Sequence, residues 1–369
     1  MTQFARRTAP TAGGESRRYL WTDAFAVCNF LGFERATGDG TYVELALQLV
    51  DRVHKTLGRH RSDDARSGWI SGLGAQEGEA HPTRGGLRIG KPLPERLPGE
   101  PLDDRLEWDR DGQYFHYLTK WMHALDQVTR STGQALFNTW ARELAFAAHR
   151  AFTHVPQGGA RKRMYWKASI DLSRPLVASM GQHDPLDGLV TCAQLETTAA
   201  GLRTPVPGPD LSGAMADFAA MLEPRMLSTD DPLGLGGLLV DAYRVEQLIR
   251  HAALPAGEAL LDALATAALH GLRSYATKPH LRLPADERLA FRELGLAIGL
   301  AAADLMEQGA HRSQLARHAP LRAEIESFWL REEHRRTDTW LQHADINDVM
   351  LATVLAPEGF LVLRPLPAS

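Results

Sequence analysis

Cysteine is nearly absent, with only Cys28 and Cys192 among 369 residues. Both fall on apolar faces of expected helices, where a thiol behaves as a small hydrophobe, which excludes a disulfide framework and a zinc site. Long hydrophobic runs are missing too. No stretch is apolar enough to span a bilayer, and the opening MTQFARRTAPTAGGESRR lacks the apolar core of a signal peptide. The expectation is a disordered lead over residues 1–18, then one domain over 19–369, in a cytoplasmic protein. Charge of one sign does not dominate either. The net charge is -4 and the 41 Lys and Arg are spread along the chain, which leaves no footprint for nucleic acid or an anionic membrane. GGLRIG, residues 85–90, has glycines but no strand-to-helix setting and no lysine placed to cradle phosphate, and no nucleophile elbow occurs. No cofactor or metal is expected. The partner left by these exclusions is a small molecule, and oligomeric state stays open.

What is present is helical periodicity. Apolar residues recur at helical spacing through Trp21, Ala24, Phe25, Cys28 and Leu31, and again through Tyr42, Leu45, Leu49, Val53 and Leu57, with TGDG between. A second hairpin turns at Ser131 to Gly133. Asp184-Pro185 and Asp231-Pro232 put an N-cap oxygen ahead of a proline in the first helical turn, a mechanistic start signal for the third and fourth. LGLAIGLAAADL in the fifth is apolar nearly all round, so that helix must be enclosed. The sixth first helix starts near Thr337, and the tail GFLVLRPLP reads as a short strand. The six starts, near residues 20, 113, 184, 231, 286 and 337, recur about every fifty residues once two insertions are removed. Those insertions, 62–112 and 155–182, are expected as mouth loops, with GGLRIGKPLPER in the first forming a small hairpin.

Each first helix opens on a polar cluster, usually containing an acid. The clusters are Trp21 to Asp23, Asp109 to His116, His183 to Asp187, Asp230 to Pro232, Asp286-Glu287 and Thr337 to Asp348. Six hairpins with polar starts and long mouth loops resemble the (α/α)6 toroids of the six-hairpin glycosidase superfamily. That superfamily holds glycoside hydrolases, unsaturated glucuronyl hydrolases and N-acylglucosamine 2-epimerases. The resemblance covers nearly the whole chain and lies in architecture. It implies an all-α (α/α)6 toroid with minor β and a small carbohydrate as substrate.

The chemistry of the clusters has competing explanations. Asp109, Asp111 and Asp187 can supply the two carboxyl groups that flank a glycosidic bond during hydrolysis, although acids at helix starts also cap free N–H groups. Asp184 reads as the cap, which leaves Asp187 as the better catalytic candidate. On a helix from Gln113, the residues His116, Lys120, His123 and Gln127 share one stripe, either solvated or lining a cavity. His116 and His123 lie about 10 Å apart along that helix, too far for one metal ion. Asp23, Lys120, His123, Lys167, His183, His343 and Asp345 are candidate sugar ligands, with Asp171 beside Lys167. Trp21, Trp69, Trp108 and Trp166 offer flat faces to a pyranose, against core packing as the alternative. Trp121, Trp140 and Trp329 read as core.

Paired-carboxylate hydrolysis is therefore the first expectation, with His116 and Lys120 positioning the sugar. A sugar epimerase or isomerase working through His116, His183 or His343 is the second. A toroid that binds a glycan or protein without catalysis is the third. Terpenoid cyclase chemistry is set aside, because no aspartate cluster for diphosphate-bound magnesium occurs.

Overall fold

A computed structural model describes Met1, Phe4 and residues 18–251, 253–254, 256–307 and 311–367. Eleven long helices organise it. The inner set is α1 (Leu20–Thr37), α3 (Phe115–Thr132), α5 (Asp184–Gly201), α7 (Pro232–Ile249), α9 (Ala290–Leu305) and α11 (Ala344–Leu355). Between them run the outer helices α2 (Thr41–Leu57), α4 (Ala135–Phe152), α6 (Ser212–Met221), α8 (Gly257–Ala276) and α10 (Ala319–Leu330). Each inner helix packs on the next, and α11 returns to α1, so the inner ring closes. The observed starts follow the sequence rhythm. A short helix, Asp338–Gln342, fills the approach to α11.

Burial follows from position. Every residue of α1 from Leu20 to Leu31 is buried, as an enclosed helix requires, whereas α2 buries one stripe through Ala46, Leu49, Val50, Val53 and Leu57. Gly38 and Gly133 end α1 and α3 at φ 72°, a left-handed conformation natural to glycine. Cys28 and Cys192 are buried thiols. Of the expected disordered lead, Met1, Phe4 and Arg18 are described. Phe4 packs into the core and Arg18 is buried, while the rest lies outside the described residues.

Two seams hold the ring. At the first, Asn29 donates from Nδ2 to the Val349 carbonyl at 3.1 Å and accepts from the Thr353 hydroxyl at 3.0 Å, locking α11 to α1. At the second, α7 and α9 meet backbone to backbone. A Cβ built on Gly236 would lie 2.1 Å from the Gly295 carbonyl oxygen, and one on Gly299 would lie 2.5 Å from that of Gly236.

The tail is not a strand. It forms a short helix, Glu358–Leu361, followed by an extended segment, because polar side chains from two inner helices take up its backbone groups. His123 and Gln127 of α3 bond the carbonyls of Phe360, Gly359 and Val362, and Gln247 of α7 bonds that of Leu361. Phe360 stacks on Phe25 of α1 at 4.2 Å. This turn crosses the C-terminal end of the inner ring, so the N-terminal ends form the mouth.

The insertions also differ from expectation. GGLRIGKPLPER forms no hairpin; it runs extended between the first helical hairpin and residues 109–112, with Leu20 N–H donating to the Ile89 carbonyl and Ile89 N–H to that of Gly112. Strand β1 (Gln113–Tyr114) pairs antiparallel with β2 (Lys167–Ala168), and β2 with β3 (Pro175–Val177), joining the second insertion to the start of α3.

Gly236→Ala is expected to lower unfolding free energy by at least about 1–3 kcal/mol, because backbone opposes the added methyl. Urea unfolding checks this. An unchanged midpoint would mean that α7 and α9 do not meet as closely as described.

Candidate active site at the toroid mouth

The start of α3 makes an aromatic wall. His116 stacks on Tyr114 at 5.4 Å and on Trp166 at 6.1 Å, and meets Tyr117 and Trp21 edge-on at 4.9 and 6.2 Å. Its side chain keeps a quarter of its surface exposed. Burial among these rings pushes His116 down to about 4, so the imidazole is neutral at pH 7.

Across from it stands the start of α5. Asp184 makes no side-chain cap, contrary to its sequence reading; the N-cap residue is His183. One Asp184 oxygen lies 3.8 Å from His116 Nδ1, and the other is buried with no hydrogen-bond partner among the described residues. Burial, reinforced by neighbouring Asp187, raises Asp184 to about 7. Trp21 Nε1 is a second buried polar atom without a partner among the described residues.

Asp187 is engaged differently. Burial pushes its carboxyl up, but Lys120, whose Nζ donates to it at 2.7 Å, outweighs burial together with Arg244 and a hydrogen bond shared with Asp241. Asp187 is therefore ionised and held. Asp241, on α7, is raised to about 7 by burial and by Asp187, so the shared proton sits on Asp241. Arg244 pairs with Asp241 at 3.0 Å and donates to Thr191 and Gln194. His183 lies at the same end of α5, its Nε2–H donating to the Leu227 carbonyl at 2.7 Å, and burial lowers its pKa.

The sequence matches no protein-family model and no curated protein. Solved structures do match. A GH76 alpha-mannanase from Bacteroides thetaiotaomicron aligns with TM-score 0.56 at 8% identity, covering 97% of this chain and 94% of that one. A cellobiose 2-epimerase from Spirochaeta thermophila aligns with TM-score 0.52 at 13% identity, over 98% and 94%. A sugar epimerase from a ruminal bacterium gives 0.54 at 8%, over 96% and 95%. The chain has the six-hairpin (α/α)6 toroid fold.

The toroid mouth gathers Trp21, His116, His183 and Asp184, with the buried Lys120–Asp187 pair one turn below, while its other side carries residues from the chain ends. There Asp23 pairs with Arg18 at 3.4 Å, and burial raises it to about 7 with a contribution from Asp345. His343 is exposed, touching Phe291, and its pKa is lowered by partial burial and by Lys91. Asp109 is exposed on the rim and makes no side-chain hydrogen bond among the described residues; its charge reaches Lys91 and Tyr114. Trp108 is 53% exposed and touches Trp166 at 5.3 Å.

Five candidates are structural instead. Asp111 is fully buried, accepting from Arg88 at 2.7 Å, Arg61 at 3.3 Å and the N–H groups of Gly90, Lys91 and Gly112, so no lone pair is left for chemistry. His123 has both ring nitrogens engaged, by Gln194 and the Phe360 carbonyl. Lys167 is fully buried and spends its ammonium on the carbonyls of Glu107 and Arg110 and the Glu107 carboxylate. Trp69 is buried under Arg59 within the first insertion, away from the mouth wall. Asp171 ties Arg66, Ser169 and Ser173 together.

Sequence reasoning missed that Asp184 stands beside His116 rather than capping its helix, and missed Asp241 altogether. The available signal for Asp241 was an acid three residues before an arginine inside the apolar run LLVDAYRV. A separate groove of about 1050 Å³ lies outside the ring beside α4, lined by His81, Glu143 and Phe146, and shares no residue with the mouth wall. Among the described residues, no three His, Cys, Asp or Glu are grouped to hold a metal, and no helix is long and apolar enough to cross a membrane.

Lys120→Met is expected to destabilise the fold by about 3–5 kcal/mol at pH 8, since it strands the buried Asp187 charge. The gap narrows as pH falls, because the wild-type pair holds the Asp187 pKa down and loses its contribution on protonation, while the stranded carboxyl protonates more readily. Urea unfolding at pH 8 and pH 5 checks this, and an equal, small effect at both would contradict a structural ion pair.

Proposed function

We propose that this toroid is a carbohydrate-active enzyme whose acid–base centre is His116 with Asp184. The observation that carries the reading is their juxtaposition: a neutral imidazole, three-quarters covered by aromatic rings, beside a buried carboxyl that keeps its proton near pH 7. Environments that push two groups apart in pKa are how acid and base roles become assigned. The likeness to a mannanase and to sugar epimerases supports a sugar as the ligand class.

The reaction this pair suits best is proton transfer next to a sugar carbonyl. His116 takes the proton from the carbon beside the carbonyl of the open-chain sugar. The freed electron pair moves into the carbonyl, whose oxygen takes the Asp184 proton, giving an enediol. Rotation of the enediol about the bond to the next carbon turns its opposite face to His116, and return of the proton there, with the enediol hydroxyl giving its proton back to Asp184, gives an epimer; return to the former carbonyl carbon, with the neighbouring hydroxyl proton passing to Asp184, gives an isomer. Trp21 and Trp166 exclude water from the ring face. Hydrolysis is the second reading, favoured by Asp184 as a protonated acid. It needs a second carboxyl about 5–9.5 Å away, and Asp187, three residues along α5, is tied to Lys120.

Incubating aldoses in heavy water and following deuterium at the carbon beside the carbonyl by NMR separates these. Exchange without new reducing ends is expected, with His116→Asn lowering it about 10²- to 10⁴-fold and leaving the thermal midpoint nearly unchanged. The rate should fall below about pH 4 as His116 protonates and above about pH 7 as Asp184 ionises. New reducing ends from glycosides without exchange would overturn proton transfer in favour of hydrolysis. Neither activity across the panel would overturn both.

A further inference from the structure

We infer that the mouth takes a sugar of at least two units, the reacting ring against His116 and the next ring on a tryptophan platform formed by Trp166 and Trp108. The inference rests on the proposed acid–base centre only for which ring reacts. The platform itself is a matter of geometry.

The aromatic wall does not stop at His116. Trp166 lies 6.1 Å from the His116 ring at an interplanar angle of 17°, and Trp108 meets Trp166 edge-on at 5.3 Å, 72°. The rings therefore step outward from the acid–base pair to the rim. Burial falls along the same path: Trp21 is 8% exposed, Trp166 is half-buried and Trp108 is 53% exposed. An indole left more than half open on a short helix, Asp104–Asp109, adds no core packing. That helix is nonetheless fixed: the Asp103 carboxylate accepts from the N–H groups of Arg105 and Leu106 at its start, and Arg96 and Lys167 bind Glu107 within it. The platform is thus held rigidly while its outer face is left open, the arrangement that gives an aromatic anchor low ordering cost on binding.

The chemistry suits a pyranose. Its C–H face packs on the flat indole, and its edge hydroxyls need donors and acceptors beside the ring. Asp109, adjacent in sequence to Trp108, is exposed with no side-chain hydrogen bond among the described residues. Lys91, half-buried at the rim over Tyr19, supplies a donor within the field of Asp109. A single sugar seated at His116 leaves this outer step empty, whereas a glycosidically linked neighbour covers it.

The test measures binding by calorimetry in the catalytically silenced His116→Asn protein, using glucose, mannose, cellobiose and mannobiose as probes. A disaccharide is expected to bind at least about tenfold more tightly than its monosaccharide. Trp108→Ala, added to this background, is expected to erase most of that ratio, and Trp108→Phe to retain most of it. An unchanged ratio in Trp108→Ala, or no preference for two units at the start, overturns the platform. No saturable binding of any probe also overturns it. Heavy-water exchange by the wild-type enzyme is read separately, so loss of the ratio without exchange sinks the acid–base reading and leaves the platform standing.

Discussion

Closure of the inner ring is the constraint on which the rest of this structure depends. The first and last inner helices meet through Asn29, Val349 and Thr353, and the chain then turns across the base, where Gly359 packs against Gly32 and Cys28 too closely for any Cβ. From there α3 and α7 hold its carbonyls through His123, Gln127 and Gln247. Contacts between residues more than 110 positions apart, most of them more than 230, therefore fix the helices at their C-terminal ends. With the base pinned, the N-terminal ends can converge only at the opposite rim. This is why Trp21, His116 and Asp184, distant in sequence, line one mouth.

Electrostatics stiffens that rim from below. Lys120, Asp187, Asp241 and Arg244 form a buried chain between α3, α5 and α7, continued by Gln194 to Asp126 and Arg130. Burying charge is costly, and each member is tolerated because its neighbours supply the opposite charge or a hydrogen bond. Asp184 stands one turn above this chain with less compensation, one of its oxygens buried with no hydrogen-bond partner among the described residues. It keeps a proton instead, and the same burial keeps His116 without one. The pair is thus a product of where the compensated network stops.

Much of the scaffold was legible before any coordinates. Apolar spacing and the two Asp-Pro starts marked the hairpins, because those signals are local. Roles of polar residues were not, because they depend on partners far along the chain. Asp184 looked like a cap and Asp187 like the chemical group, but Asp184 caps nothing, and Lys120, from another helix, holds Asp187. The stripe His116, Lys120, His123 and Gln127 is coherent, as its spacing implied, but only its first member reaches the mouth wall. The lower two grip a tail that no periodicity could have located beneath them. Asp111 and Lys167 carry the right functional groups and spend them on the loops that hold them. Trp69 shows the same limit for an aromatic, since Arg59 rather than a ligand covers its face.

A crystal structure of the His116→Asn protein soaked with a disaccharide tests the central claim most directly. A pyranose against Trp21 and Trp166, with a hydroxyl or carbonyl oxygen in hydrogen-bond reach of Asp184, is the predicted result. A sugar bound instead in the outer groove by His81 and Glu143, with the mouth left to solvent, would contradict the account.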